Sequence, residues 1–174
     1  MGTTYSLRDL GIFAGQSKHE NVVLELDPYH QAGVDYAPRS GRADADLDVT
    51  AMTEGASFRL RFHVDYDGPC ARCLEPATLA IDVDDHEVHD ENAEEEELRS
   101  DHVDDKLLEL DISAWAHESI GLRFPVRVLC RKDCRGLCAE CGVNLNEHPD
   151  HDHEKPTDSR WDALRQLAIE DEPS

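Results

Sequence analysis

Six cysteines constrain this chain most. Cys70 and Cys73 are separated by two residues, Cys130 and Cys134 by three, and Cys138 and Cys141 by two, with Gly142 directly after. Tetrahedral zinc takes four thiolate or imidazole ligands at about 2.0–2.3 Å, and a Cys-x2-Cys turn delivers two of them from one tight loop. The glycine after Cys141 permits positive φ, from which its N–H is expected to point back at the sulfurs.

The ligands divide in two ways. The favoured division joins Cys70 and Cys73 to Cys130 and Cys134, and joins Cys138 and Cys141 to two of His148, His151 and His153. The competing division gathers Cys130, Cys134, Cys138 and Cys141 around one ion and leaves Cys70 and Cys73 free. A closed four-ligand site has no open position for water, so a structural role is expected and an enzymatic one is not. A thiol-redox or metal-transfer protein using the Cys-x2-Cys pairs is the alternative.

Around the cysteines the alternation is that of strands. Leu47, Val49 and Ala51, then Phe58, Leu60, Phe62, Val64 and Tyr66, then Leu79, Ile81 and Val83 each alternate with polar residues, with Thr53-Glu54-Gly55 as a turn. This predicts an antiparallel β-meander with the first cysteine pair in a strand connection. Residues 1–45 signal weakly, with a strand-like run at 22–26 and a loop expected over 35–46.

Residues 84–106, rich in acids and including Glu94 to Glu97, read as an acidic mobile loop. Asp111 reads as the cap of a central helix carrying Ile112, Trp115, Ala116, Ser119 and Ile120, with Gly121 as its stop. A strand-like segment over 122–129 leads to a zinc-knuckle segment at 130–153. A C-terminal helix over 158–170 presents Trp161, Leu164, Leu167 and Ala168. The fold class expected is α+β, in a single domain over 1–174.

Acidic residues number 39 against 17 basic, giving a formal charge of −22. Such a surface opposes general binding to phosphate backbones and favours basic partners. The exception is local: Arg123, Arg127, Arg131, Lys132 and Arg135 face a single acid, Asp133. This segment is a candidate contact for RNA or a partner, or pairs internally with the chain's carboxylates. His63, His86, His89 and His102 are expected to be solvated. No secretory signal and no stretch long enough to span a membrane is expected, which points to a reducing, cytoplasmic setting and no membrane partner.

Several segments resemble one family. Cys70-Ala71-Arg72-Cys73-Leu74-Glu75-Pro76, Gly121-Leu122-Arg123-Phe124-Pro125-Val126, and above all Cys134-Arg135-Gly136-Leu137-Cys138-Ala139-Glu140-Cys141-Gly142-Val143-Asn144-Leu145-Asn146 resemble the YceD family of large ribosomal RNA subunit accumulation proteins. Asp158-Ser159-Arg160-Trp161 resembles that family's terminal helix, with Ser159 in place of the usual proline. The resemblance implies a role in large-subunit ribosomal RNA accumulation or processing. Its implied partners are the large-subunit precursor, ribosomal RNA or a basic zinc-ribbon ribosomal protein, with no small-molecule substrate. Many members carry Cys-x-Cys where this chain has His151-Asp152-His153, which selects His151 and His153 as ligands. Some members lack the Gly-Leu-Cys-x-x-Cys-Gly piece, which supports Cys70, Cys73, Cys130 and Cys134 as an independent site. Two zinc ions are therefore expected.

Overall fold

The computed structural model describes residues 2–8, 11–90, 92–93, 98–106 and 108–153. It divides the chain into two compact units, Met1–Cys134 and Arg135–Ser174, where a single domain was expected. The division falls inside the segment 130–153, so Cys130 and Cys134 belong to the first unit. Each unit carries a complete set of candidate ligands of its own.

The first unit is built on antiparallel sheets. Strands β1 (Thr4–Ser6), β2 (Ser17–Glu25), β3 (Tyr29–Gln31), β4 (Val34–Pro38), β5 (Arg42–Ala51), β6 (Ala56–Pro69), β7 (Pro76–His89), β8 (Val103–Asp104) and β9 (Glu109–Asp111) precede helix α1 (Ile112–Arg123). β6 is the spine: β7 pairs along one edge, while β5 and then β4 share the other. β2 extends the sheet beyond β5, and β3 beyond β4. A small second sheet has the order β1-β9-β8.

The expected meander is strands β5, β6 and β7, each longer than its apolar run. One face buries Leu24, Leu47, Val49, Phe58, Leu60, Val64, Ile81 and Val83. Ile112, Trp115, Ala116 and Ile120 of α1 are also buried, and the helix contacts β7, β2 and β1. The other face carries charged side chains that pair across strands. Arg59 donates to Asp84 twice at 2.8 Å, and Arg39 binds Asp67 through two nitrogens at 2.9 and 2.8 Å.

Four segments differ from expectation, each for a physical reason. Residues 42–46, expected within a loop, open strand β5, because Ala43 and Ala45 fill the buried face and are too small to mark it as apolar. Residues 84–89 and 103–104 of the expected acidic loop are strand, the first because Asp84 and Asp85 find arginine partners and the second because Val103 and Asp104 pair with β9. Helix α1 starts at the Asp111 cap, whose Oδ1 accepts the Ala114 N–H at 2.9 Å, but runs past Gly121 to Arg123. It ends where Phe124, extended before Pro125, donates its N–H to Gly121 O. Residues 124–129 then form no strand. The expected C-terminal helix at 158–170 and Glu94 to Glu97 lie outside the described residues. Among the described residues no helix is long and apolar enough to cross a membrane.

Phe124 fixes where the chain goes after the helix. Its ring stacks on Tyr29 at 4.2 Å between centroids and meets Tyr36 at 5.3 Å and Tyr66 at 5.6 Å. Gln31 Nε2 donates to Pro125 O at 3.0 Å, and the Ala71 N–H donates to Val128 O at 2.8 Å. The segment is thereby laid along the tip of the β6–β7 hairpin. Tyr36 also packs on Gly68, where an added Cβ would lie 2.4 Å from the ring. Gly68→Ala is therefore expected to cost about 1–3 kcal/mol by overpacking. An unchanged urea midpoint would refute this packing at the hairpin tip.

Candidate metal centres

The first cluster joins two loops of the first unit. Cys70 and Cys73 sit in the connection between β6 and β7, which closes with the Cys70 N–H on Glu75 O at 2.8 Å and the Leu74 N–H on Cys70 O at 3.0 Å. Leu74 takes φ of 64°, a left-handed position that glycine usually fills. Cys130 and Cys134 arrive on the segment placed by Phe124. Arg72 ties the two loops together, donating from Nη1 to Cys134 O at 2.7 Å. Arg72 was not singled out in the sequence, although it stands between the two cysteines.

Cys70 Sγ lies 3.7 Å from Cys134 Sγ, and Cys73 Sγ lies 3.6 Å from Cys130 Sγ. All four ligand atoms fall within 4.8 Å of one another. A tetrahedron of ~2.3 Å zinc–sulfur bonds has edges of about 3.8 Å, so the donor set fits a tetrahedral metal ion. Cys70, Cys73 and Cys134 are buried, and Cys130 is the most accessible.

Thiols this close cannot all ionise without a cation. Burial pushes the Cys70 thiol up, but N–H groups of Arg72, Cys130 and Cys73 outweigh it and bring it down to about 6. Desolvation and the neighbouring sulfurs push Cys130 up to about 12. A divalent cation removes this conflict by stabilising every thiolate at once.

The second cluster belongs to the second unit and consists of Cys138, Cys141, His151 and His153, whose ligand atoms also lie within 4.8 Å of one another. Cys141 Sγ is 3.2 Å from His151 Nε2 and 3.3 Å from His153 Nε2, and the two Nε2 atoms are 2.9 Å apart. These spacings are a few tenths of an ångström inside the edges of a zinc tetrahedron with two sulfurs and two nitrogens. Glu140 Oε2 lies 3.3 Å from His153 Nδ1, placed to orient that ring.

Local sequence explains the turn. Gly136 and Gly142 take φ of 80° and 73°, and the Leu145 N–H donates to Gly136 O at 2.9 Å. The Gly142 N–H goes to Cys138 O at 2.9 Å rather than to a sulfur as expected, because it closes the turn. N–H groups of Cys141 and Glu140 instead lower the Cys138 thiol to about 6. His148 supports the loop through backbone bonds to Asn144 O and from the His151 N–H, both at 3.1 Å, and is outside the ligand set. The ligand atoms gather into a set of four cysteines and a set of two cysteines with two histidines, each able to hold a metal ion.

The basic segment does not form one free patch. Arg123 is tied to Asp85 by bonds of 2.9 and 2.7 Å and holds that carboxyl below its usual range. Arg131 Nε lies 3.7 Å from Asp133, and Arg135, in the second unit, donates to Pro149 O at 2.8 Å. Arg127 and Lys132 are exposed.

Two histidines expected to be solvated are not. His89 is buried, with Nε2 2.9 Å from Asp105. His102 is 10% exposed at its side chain, with Nε2 3.0 Å from Glu118 and 3.4 Å from Glu87, and burial holds Glu87 above the usual carboxylate range. Flanking acids hid their surroundings in the sequence. His63 remains exposed against Asp82 at 2.7 Å, and His86 is exposed.

A β-sheet protein with two clusters able to hold metal ions is the class that fold and sites define. The chain belongs to the YceD family, described as large ribosomal RNA subunit accumulation protein, which it matches over residues 58–168. A Mycobacterium tuberculosis protein without an assigned function is 34% identical over 127 residues, covering 71% of this chain and 61% of the relative. A Mycobacterium leprae protein, likewise unassigned, is 38% identical over 72 residues, 41% of this chain and 32% of its own length. The chloroplastic YCED homolog 1 of Arabidopsis thaliana, a large ribosomal RNA subunit accumulation protein, is 33% identical over 46 residues, 26% of this chain and 14% of the relative. The chain thus spans about three fifths of the length of the mycobacterial relatives it matches over 127 residues. No solved structure matches it.

Protein purified without added metal is expected to carry two ions per chain by elemental analysis, one lost in Cys141→Ser and the other in Cys73→Ser. Because a metal binds thiolate and neutral imidazole, loading is expected to fall as the pH is lowered and protons displace the metal. Loss of both ions from either variant would refute two independent sites.

Proposed function

We propose that this chain is a zinc-binding, non-catalytic factor in biogenesis of the large ribosomal subunit, acting in the cytoplasm. The observation that carries the reading is family membership over residues 58–168, whose description is ribosomal RNA accumulation. The plant relative bears the same description in its name.

Zinc is the ion favoured, since thiolate and imidazole together suit it and a redox-inactive ion suits a fastening role. The four-cysteine set would hold it through Cys70, Cys73, Cys130 and Cys134, and the mixed set through Cys138, Cys141, His151 and His153. In the first set the metal fastens the β6–β7 tip to the segment after the helix. Exposed Arg127, Arg131 and Lys132 on that segment are the candidate contacts for ribosomal RNA. The acidic remainder suits a basic ribosomal protein, a zinc-ribbon protein of the large subunit among them. Thiol chemistry is the weaker reading, because three of the first four sulfurs are buried.

In cells deprived of this chain, mature large-subunit ribosomal RNA is expected to fall relative to small-subunit RNA. The wild-type gene restores the ratio and Cys73→Ser does not. An unchanged ratio in the deprived cells would overturn the reading.

A further inference from the structure

Strand β7 is an edge whose outer side is open. The bond from the Cys70 N–H to Glu75 O marks that pair as hydrogen-bonded, and in an antiparallel ladder bonded and non-bonded pairs alternate. The β6–β7 register then runs without interruption from Pro69 opposite Pro76 to Ala56 opposite His89. Counting along it, Ala77, Leu79, Ile81 and each second residue to His89 bond to β6. Thr78, Ala80, Asp82, Asp84, His86 and Val88 therefore turn their N–H and C=O groups outward. One outward bond is described, from Arg123 Nη2 to Asp84 O at 3.4 Å, and it agrees with this parity. Among the described residues, nothing bonds the outward backbone groups of Thr78, Ala80 and Asp82.

Proteins usually guard such an edge with charged side chains, inward-pointing charges, a mid-strand proline or a bulge. β7 is 14 residues long, its proline is the first residue and its register runs without a bulge; Asp84, Asp85 and Glu87 guard its far half, whereas between Thr78 and Asp82 the one charged residue is Asp82. Asp82, Asp84 and Ala80 stand on the exposed face. Pairing of β7 with β7 of a second copy would set acids beside acids in a chain of charge −22. A segment bearing lysine or arginine at alternate positions would meet that acidic face while its backbone completes the ladder.

We propose that the outer edge of β7, from Thr78 to Asp82, docks an extended lysine- or arginine-bearing protein segment as an added strand. The inference rests on the ribosomal reading only for the partner's source, and it names that partner as protein of extended, basic form. Peptide binding and the ribosomal RNA ratio are separate readouts, so failure of one is distinguishable from failure of the other.

The probe is a nine-residue peptide alternating lysine with threonine, compared with its glutamate counterpart on the full-length, metal-loaded protein. The lysine peptide is expected to bind at least tenfold tighter and to slow amide exchange at Thr78, Ala80 and Asp82. Ala80→Pro removes an outward N–H that bonds nothing in the fold, a position where an edge strand tolerates proline. It is expected to weaken binding at least tenfold with the charge unchanged, which separates ladder formation from general attraction to an acidic protein. If Ala80→Pro lowers the melting temperature, the lysine peptide methylated at alternate backbone nitrogens provides the same comparison. Undiminished binding in these comparisons, equal binding of the two peptides, or protection mapped elsewhere would overturn the proposal. Slow exchange at the three amides in the free monomer would overturn the proposal by assigning the edge to another part of the chain. A dimer abolished by Ala80→Pro would assign it to a second copy.

Discussion

Four sulfurs held within 4.8 Å of one another set the terms for the first unit. One thiol is drawn down to about 6 by backbone N–H groups and another is pushed up to about 12 by desolvation and its neighbours. A divalent ion here would make all four thiolates favourable together. The cluster closes a long loop, since Cys70 and Cys134 are 64 residues apart in sequence and 3.7 Å apart at sulfur. Closing loops of that length lowers the entropy of the unfolded chain, so an ion here would stabilise the fold as well as shape it.

The geometry that permits this closure is assembled by ordinary packing. The uninterrupted β6–β7 register fixes where the hairpin tip stands, and the contacts of Phe124 with Tyr29, Tyr36 and Tyr66 fix where the segment after the helix must pass. Val128 O then receives the Ala71 N–H, and Arg72 reaches Cys134 O. None of these contacts uses a cysteine sulfur, so ring packing and backbone bonds help to place the candidate ligands. Leu74 shows the cost of the tight tip: it holds φ of 64° while its side chain remains 67% exposed.

Much of the site was legible because metal ligands come in fixed spacings. The Cys-x2-Cys spacings marked the cysteines as candidate ligands, while His151 and His153 were singled out from His148 by the resemblance to the YceD family and not by spacing. The meander was legible where large apolar residues alternate, from Phe58 to Tyr66. It was illegible in β5 before Leu47, where alanine fills the buried face, and in β7 after Val83, where Asp85 and Glu87 stand in positions a rule of apolar burial reserves for hydrophobic residues. Asp85 is admitted there by Arg123, a partner 38 residues away that no local pattern announces. The same long-range pairing removed Arg123 from the basic segment that the sequence presented as continuous. His89 and His102 were hidden likewise, since the carboxylates that receive them come from a turn at Asp105, from strand β7 at Glu87 and from helix α1 at Glu118.

Charge and topology together assign different work to different parts of the first unit. An acidic open face is costly to cover with nucleic acid, and counterion release offers nothing there. Basic residues persist instead on the loop that carries Cys130 and Cys134, where Arg127, Arg131 and Lys132 are held near candidate ligands rather than on the sheet. The sheet's acids are partly neutralised in pairs, Arg59 with Asp84 and Arg39 with Asp65 and Asp67, while among the described residues Asp82 meets the imidazole of His63 and no arginine or lysine. The least compensated of these carboxylates therefore stands on β7, beside backbone groups turned outward. An extended basic segment would match both features at once, its charge meeting Asp82 and its backbone meeting the outward groups of the strand.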